Sequence, residues 1–457
     1  MKIAILGGGI SGLVTAYLLK KDRHDPVIIE TSVRPGGAIR SSVDDDWLIE
    51  HGPNSLLETS PKITQLVNEV GLSSKKIYGN DAASNRYIVK NGKPVSLPTS
   101  PGAFLKTPLF SLSGKLGLLK EPFISSTSDE YESLASFVIR RLGPEFLDYA
   151  INPFVAGVYA GDPKKLSVKY AFKKLYELEE NYGSLIKGQI KGARERKKRG
   201  TVAKNTAKMF SFENGLESLI RSLAKSLNHE LQLQCSSLSV NKREREGFDV
   251  SYKKGGEDIH FKADRVVFSL PSHRYHSVAT DLFDDHFYNT LEDIYYPPVS
   301  VLALGFRREQ IQHPLDGFGM LIPEVERKSI LGTLFSNSIF KGRAPEGHAL
   351  LTNFIGGARQ PEIAGKDTGE LTDIAMKDLR ELLGITGKPV ISKHIHWPKA
   401  IPQYNVGYGK VYDAIYRMEK RSPGLHIHGN FRDGISLSDC IGTSFELANK
   451  ISASEDF

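Results

Sequence analysis

"KIAILGGGISGLVTAYLLKKDRHDPVIIE", Lys2 to Glu30, is the stretch whose reading decides the fold. Lys2 to Leu6 is short, apolar and stopped by glycine, as a buried strand is. "ISGLVTAYLLKK" has helical apolar spacing, and "PVIIE" (Pro26 to Glu30) reads as a second strand ending in an acid. Strand, glycine loop, helix, strand and acid in that order make a dinucleotide-binding unit. Gly7 permits the tight turn, Gly9 lets a pyrophosphate approach the backbone, and Gly12 lets helix and strand pack closely. Gly8, Ile10 and Ser11 complete the loop. Free N–H groups at the helix start, with its positive dipole end, would face the phosphates. Glu30, with Thr31 beside it, can accept hydrogen bonds from both ribose hydroxyls.

Moving outward, "TSVRPGGAIRS" carries Arg34, Gly36, Gly37 and Ala38, a turn able to bring the chain back beneath a pyrophosphate. It resembles the second fingerprint of the FAD-containing amine oxidase superfamily. "LIEHGPNSLL" then gives a strand ending in the turn Gly52-Pro53-Asn54-Ser55, which can present backbone N–H groups to a flavin ring. These segments point to FAD rather than NAD as the cofactor.

The rest of the composition sets bounds. With 457 residues, 40% of them hydrophobic and 25% charged, the chain has the make-up of a soluble globular protein with room for about three domains. No window offers the roughly 20 apolar residues of a membrane span. Lys2 leads straight into the first strand, leaving no room for a signal peptide, so the expected location is the cytoplasm. Two cysteines without CxxC spacing, Cys235 and Cys440, argue against a disulfide scaffold or a metal site. The net charge of +7 is concentrated in "KGQIKGARERKKRGTVAKNTAK", Lys187 to Lys208. A solvated helix face and a surface for anionic lipid both fit it. The lack of aromatic interleaving argues against nucleic acid.

Residues 97 to 124 mix apolar side chains with Lys106, Lys115 and Lys120, as an interfacial helix pair does. After them come a helix, a break at Gly143-Pro144, a second helix and a turn expected at Ala156-Gly157. "ELQLQCSSLSV" (Glu230 to Val240) reads as one alternating strand, and "ADRVVFSLP" as another ended by proline. Residues 276 to 395 are β-rich and read as one antiparallel sheet.

In sequence order, "LGGGISGL", "RPGGAIRS", "EHGPNS", "NRYIVKNGKPVSLP", "RRLGPEF", "PFVAGVYAGDP", "GFGMLIP", "GTLFS", "IPQYNVGY" and "GNFRDGISLSDCIGTS" resemble the oxygen-dependent protoporphyrinogen oxidase family over nearly the whole chain. The resemblance implies an α/β fold in three parts. A Rossmann-like FAD-binding domain would comprise 1–82, 206–275 and 396–457. A β-rich substrate domain would comprise 83–96 and 276–395, and a helical, membrane-associating insertion 97–205. It implies that the Ile435-Ser436-Leu437 backbone contacts the flavin, and that the following helix points its positive end at the ring. Cys235 would lie where the backbone meets adenine, its thiol a packing group like that of Cys440. Arg432 and Asp433 would brace the turn.

The same resemblance implies a tetrapyrrole substrate. Arg86 would pair with a propionate; Phe318, Leu321, Phe335 and Phe354 would form apolar walls, and Gly157 would let backbone approach the macrocycle. Hydride would pass from a meso carbon to the flavin in three cycles, with O2 reduced to hydrogen peroxide and no strong acid–base constellation needed. Coproporphyrinogen as substrate, a carotenoid desaturase or amine oxidase, and a non-enzymatic carrier on this fold are the alternatives. A homodimer and peripheral attachment to the inner face of the cell membrane are left open.

Overall fold

The computed structural model describes residues 1–127, 129–199, 207–432 and 434–453, without the side chains of 193–199. It begins with β1 (Lys2–Leu6), α1 (Ile10–Lys21) and β2 (Asp25–Ile29). The hairpin β3 (Asn85–Lys90) and β4 (Lys93–Ser96) leads into a helical stretch that includes α2 (Asn152–Tyr159). Two further strands follow, β5 (Leu231–Gln232) and β6 (Arg265–Phe268). The next block holds β7 (Val299–Arg307), β8 (Gly317–Leu321), β9 (Ile330–Phe335), β10 (His348–Gly356), α3 (Thr368–Leu383) and β11 (Ile391–Trp397). The last elements are α4 (Gly409–Arg421), β12 (Leu425–Ile427) and α5 (Leu437–Ala453).

A five-stranded sheet runs in the order β5-β2-β1-β6-β12, parallel throughout. Parallel sheets are covered on both faces, and accordingly Ile3, Ala4, Ile5 and Leu6 are all buried. Ile3 and Ile5 pack with Leu13 of α1 and with Ile441 and Phe445 of α5. Ala4 and Leu6 face the aromatic cluster of Phe268, Tyr275, Phe287 and Phe431. The single strand expected over Glu230 to Val240 is two pieces. The chain leaves the parallel sheet after Gln232, Gln234 adopts φ of 59°, and Ser236–Lys242 joins a separate four-stranded sheet. Both pieces are extended, so alternation alone does not reveal the change of sheet.

The second sheet has seven strands in the order β11-β7-β10-β9-β8-β3-β4. The strands β7 to β11, from the block read as one antiparallel sheet, pair antiparallel with one another, and the hairpin from 85–96 extends the sheet through a parallel pairing of β8 with β3. On one face α3 closes the core, with Leu371, Ala375 and Leu379 against Leu302, Met320, Phe335 and Leu351. The other face looks toward the helices and the nucleotide loop.

In the helical region the chain breaks at Gly143 (φ 93°), as expected. A π-helical turn, Leu147–Ile151, then runs into α2, which ends at Ala160 with φ of 49°. Gly157 therefore lies inside a helix, and the expected turn comes three residues later. Interior charge holds the region together. Arg141, fully buried, bridges Glu179 and Glu121, 3.3 Å away, while Glu121 also accepts the Leu185 N–H at 2.8 Å. Stripped of these donors, a carboxylate at this depth would carry a desolvation penalty of several kcal/mol, so the knot pins 118–123 to the helix that starts at Leu185. Lys115 is not free to snorkel either, since its ammonium donates to the carbonyls of Leu105 (3.0 Å) and Thr107 (2.7 Å). Of the basic stretch, 200–206 lie outside the described residues. Among the described residues no helix is long and apolar enough to cross a membrane.

The seam between β12 and α5 is sensitive to protons. Burial pulls both His426 and His428 down from 6.5 to about 4, and His428 Nε2 lies 3.0 Å from the Ser444 hydroxyl. In the unfolded chain each imidazole would take its proton near 6.5. Between 6.5 and 4 the unfolded state therefore binds more protons, and stability falls as pH falls. Thermal melts across that window are expected to show a falling Tm, with His428→Gln, which cannot take up a proton, losing less of it. A flat profile would contradict this.

Candidate functional site

At the end of β1 the backbone closes tightly. Gly7 has φ of 106°, and a Cβ there would lie 2.5 Å from the Ser269 carbonyl oxygen. A Cβ on Gly12 would lie 2.1 Å from the Gly7 oxygen, whereas one on Gly9 would meet nothing within 4 Å. α1 starts immediately after Gly9 with no capping side chain and no acid in its first turn. The amides of Ile10, Ser11 and Gly12 are thus offered to an outside acceptor. The Glu30 carboxylate accepts the N–H groups of Gly8 (2.7 Å) and Ser32 (2.8 Å), and Thr31 lies beside it. Cys235 donates its N–H to the Glu30 carbonyl at 3.0 Å. Burial pushes the Cys235 thiol pKa up, as befits a packing group.

Two more segments converge on this loop. The Gly36 N–H donates to the Gly8 carbonyl at 2.7 Å, and a Cβ on Gly37 would come 3.7 Å from the Gly9 Cα. Arg34 braces its own turn, with its guanidinium donating to the carbonyls of Pro35, Gly37 and Ile39. Gly52 packs so closely that a Cβ would lie 2.4 Å from the Ala38 oxygen. The turn Gly52-Pro53-Asn54-Ser55 is anchored by Glu50 just before it. That buried carboxylate accepts the Ser41 hydroxyl (2.6 Å) and the Leu216 N–H (2.9 Å), and Arg343 lies 3.8 Å away. Asn54 shares a cavity of about 10 Å³ with Ser336 and Thr352, so this turn meets the seven-stranded sheet.

The far end of the chain closes over the same place. Ser436 caps α5, accepting the Asp439 N–H at 3.2 Å and donating to its carboxylate at 2.6 Å. Ser444 donates to the Ser11 carbonyl at 3.2 Å, and Ser438 to the Leu57 carbonyl at 2.8 Å. α5 thereby spans the start of α1 and the segment after Ser55, with Ile435, Ser436 and Leu437 at its leading edge. Asp433 lies outside the described residues. A helix start free of acid, an open cradle at Gly9 and a carboxylate at Glu30 are the donor and acceptor set that a long anionic dinucleotide requires.

The open face of the seven-stranded sheet supplies the second half. Register places Arg86, Gly319, Leu334 and Thr352 in one cross-strand row, and Ile88, Leu321, Gly332 and Phe354 in the next. Arg86 is exposed, and its guanidinium carbon lies 5.7 Å from the centre of the Phe318 ring. Among the described residues its side chain makes no hydrogen bond or ion pair. Lys90, on the same face, is committed to the Leu109 carbonyl at 2.8 Å. A Cβ on Gly157 would strike Leu321 Cδ2 at 2.5 Å, so this glycine lets α2 approach β8, and the space beside it belongs to Leu321 rather than to a ligand. Ile435 packs against the same cluster as Leu321, which joins the two halves of the site. At the other end of the face Trp47 covers Ala303.

Phe335 does not belong to this face. It is fully buried under α3 and lies 6.5 Å from Tyr87, the neighbour of Arg86 that points the opposite way. Leu334, which the sequence reading passed over, occupies the position expected of Phe335. Phe154 and Val158 were also missed. They are exposed on α2, where Phe154 lies three residues before Gly157 and four before Val158, so the two side chains share one helix face.

The flavin containing amine oxidoreductase family model matches residues 10–441. The chain is 36% identical over 477 residues to protoporphyrinogen oxidase 2, chloroplastic/mitochondrial, of Arabidopsis thaliana, with 98% of this chain and 93% of the relative covered. It is 28% identical to the coproporphyrinogen III oxidase of Bacillus subtilis, covering 96% and 95%. A crystal structure from Exiguobacterium sp. 255-15, named as a candidate protoporphyrinogen oxidase, shares the fold at a TM-score of 0.80, with 23% identity and 99% of both chains covered. The chain belongs to the flavin containing amine oxidoreductase family, with full-length likeness to its protoporphyrinogen oxidases, and its cofactor is FAD.

Proposed function

We propose that this chain oxidises protoporphyrinogen IX to protoporphyrin IX, with O2 as acceptor and hydrogen peroxide as product, in tetrapyrrole biosynthesis. The observation that carries the reading is Arg86, a cation with no acid partner among the described residues, near one end of a largely apolar sheet face whose cross-strand row ends at Lys393 on β11. Bound FAD supplies the hydride acceptor. Gly7 to Gly12, Glu30 and the Arg34–Ala38 and Gly52–Ser55 turns hold it, and Ile435 to Leu437 cover it. Arg86 pairs with a propionate carboxylate. Leu321, Leu334 and Phe354 keep water from the macrocycle, while Phe318 flanks the arginine. From Arg86 on β3 to the Trp47-covered strand β7 is four strand spacings, roughly 19 Å, enough for a tetrapyrrole to lie flat. The substrate is electron-rich and its pyrrole nitrogens can release their own protons, which fits a face without a general base.

Coproporphyrinogen III is the second reading, favoured by the likeness to the Bacillus subtilis oxidase. Its four propionates call for more cations than the two, Arg86 and Lys393, that this cross-strand row presents. Mixing the flavoprotein anaerobically with each porphyrinogen, while following flavin bleaching, tests the choice. Faster bleaching by protoporphyrinogen is expected; equal or faster bleaching by coproporphyrinogen reverses the assignment. Oxidation of amines but of neither porphyrinogen removes both.

We also propose a peripheral membrane surface on the helical region. Leu105, Leu112, Leu116, Leu119 and Phe123 are exposed together, with Lys106 and Lys120 among them. That pattern suits the headgroup boundary of an anionic bilayer. Replacing Leu112, Leu116 and Leu119 by serine is expected to reduce co-sedimentation with anionic vesicles about tenfold or more while leaving turnover of detergent-dispersed substrate intact. Undiminished sedimentation would refute the surface.

A further inference from the structure

Three tyrosines outside the residues assigned so far share one task. Tyr404, Tyr408 and Tyr412 are spaced four apart, the last in the first turn of α4. Tyr404 donates to the carbonyl of Asn430 (2.6 Å), Tyr408 to that of Phe431 (2.5 Å) and Tyr412 to that of Arg432. The Tyr404 oxygen also accepts the Gly434 N–H at 2.9 Å. Their rings form a ladder, with centroids 4.6 Å apart from Tyr404 to Tyr408 and 5.9 Å from Tyr408 to Tyr412. Tyr404 and Tyr408 are buried. Arg432 adds a tie to Glu419 at 2.6 Å. The described residues of this loop form no strand or helix, so phenol hydroxyls fix its height. One residue beyond Gly434 begins Ile435-Ser436-Leu437, and then α5.

We propose that Tyr404, Tyr408 and Tyr412 are positioning residues that set the distance and aim of the α5 N-terminus against the flavin. The inference rests on the reading that Ile435 to Leu437 contact the cofactor. Each hydroxyl donates to a carbonyl of a loop whose described residues join no sheet, so its removal takes away that tie and lets the loop shift. A shift of an ångström weakens both the cofactor contact and the stabilisation that the helix start lends to negative charge on the reduced ring. Phenylalanine keeps the ring ladder and deletes only the hydroxyl, which isolates this effect from packing.

The test uses purified holoenzyme. Tyr404→Phe is expected to weaken FAD binding about tenfold, alter the visible flavin spectrum and make the midpoint potential more negative. Tyr412→Phe, half-buried at the rim, should act in the same direction and serves if Tyr404→Phe fails to fold. Tyr275→Phe is the control. It is fully buried and its hydroxyl donates to the Phe268 carbonyl at 3.3 Å rather than to the loop, while its ring, 5.9 Å from that of Phe431, is kept by phenylalanine, so the variant should lower Tm with spectrum and potential unchanged. Ile435→Trp tests the underlying contact by shifting the flavin spectrum directly. If Ile435→Trp shifts the spectrum and neither tyrosine variant moves spectrum or potential beyond the control, the positioning role is overturned while the contact stands. If Ile435→Trp leaves the flavin untouched, the contact reading falls and the positioning role falls with it.

Discussion

Arg86→Ala is expected to raise KM for the porphyrinogen about 10- to 100-fold while kcat changes by less than about threefold. The guanidinium lies at the outer edge of the sheet face, four strands from the end that Trp47 covers, so it grips the periphery of the macrocycle rather than the reacting carbon. An interaction of that kind acts equally on the bound substrate and on the transition state, and its loss appears in KM. A charge-assisted hydrogen bond contributes ~1.5–3 kcal/mol, which sets the range. Among the described residues the side chain pairs with no acid and rests over Phe318, so folding should be unaffected. Arg86→Lys should recover part of the affinity, keeping the charge but losing the two-pronged geometry. Stopped-flow flavin reduction over a range of substrate concentrations separates the two parameters. An unchanged half-saturation point would take Arg86 out of the site.

Gly12→Ala is expected to yield colourless protein, with FAD affinity down about a hundredfold or more. The added methyl would lie 2.1 Å from the Gly7 carbonyl oxygen, which is backbone and cannot rotate away. Gly7 has no room to retreat, because its own α-carbon is hemmed in by the Ser269 carbonyl. The loop must open, and the amides at the start of α1 lose their common aim. Gly9→Ala provides the contrast. Its methyl meets no protein atom within 4 Å, so Tm should hold, yet it enters the space left for the phosphates and should still weaken FAD. Absorbance of the flavin against total protein, with a thermal melt, distinguishes the two. A yellow Gly12→Ala protein with ordinary affinity would refute the packing argument.

The nucleotide loop was legible because its chemistry is local. Gly7, Gly12 and Glu30 act within thirty residues, and each role follows from the lack of a Cβ or the presence of a carboxylate. The sheet face was less so. Irregularities between Gly317 and Gly319 and between Ile330 and Gly332 shift the phase of β8 and β9 against their neighbours, so alternation alone does not assign the faces, and the resemblance that put Phe335 in the pocket missed that Leu334 holds that position. Arg86 in isolation reads as a surface arginine on a hairpin, and only the family resemblance singled it out. Glu121 was hidden among lysines, although it lies in the interior against Arg141. The tyrosine ladder gave no signal because its partners are main-chain carbonyls, which any residue carries.

The order β5-β2-β1-β6-β12 has a consequence for biosynthesis. The neighbours of β1 are encoded near residues 28 and 266, and the edge strand only near 426, so a growing polypeptide cannot complete this layer until some four hundred further residues after β1 have been made. Until α5 leaves the ribosome, the apolar flank of α1 lacks its cover and needs a chaperone or early helical neighbours to stay out of aggregates. Vitamin supply would then govern yield at a late stage, once β12 and α5 are in place and the prosthetic group can first be captured.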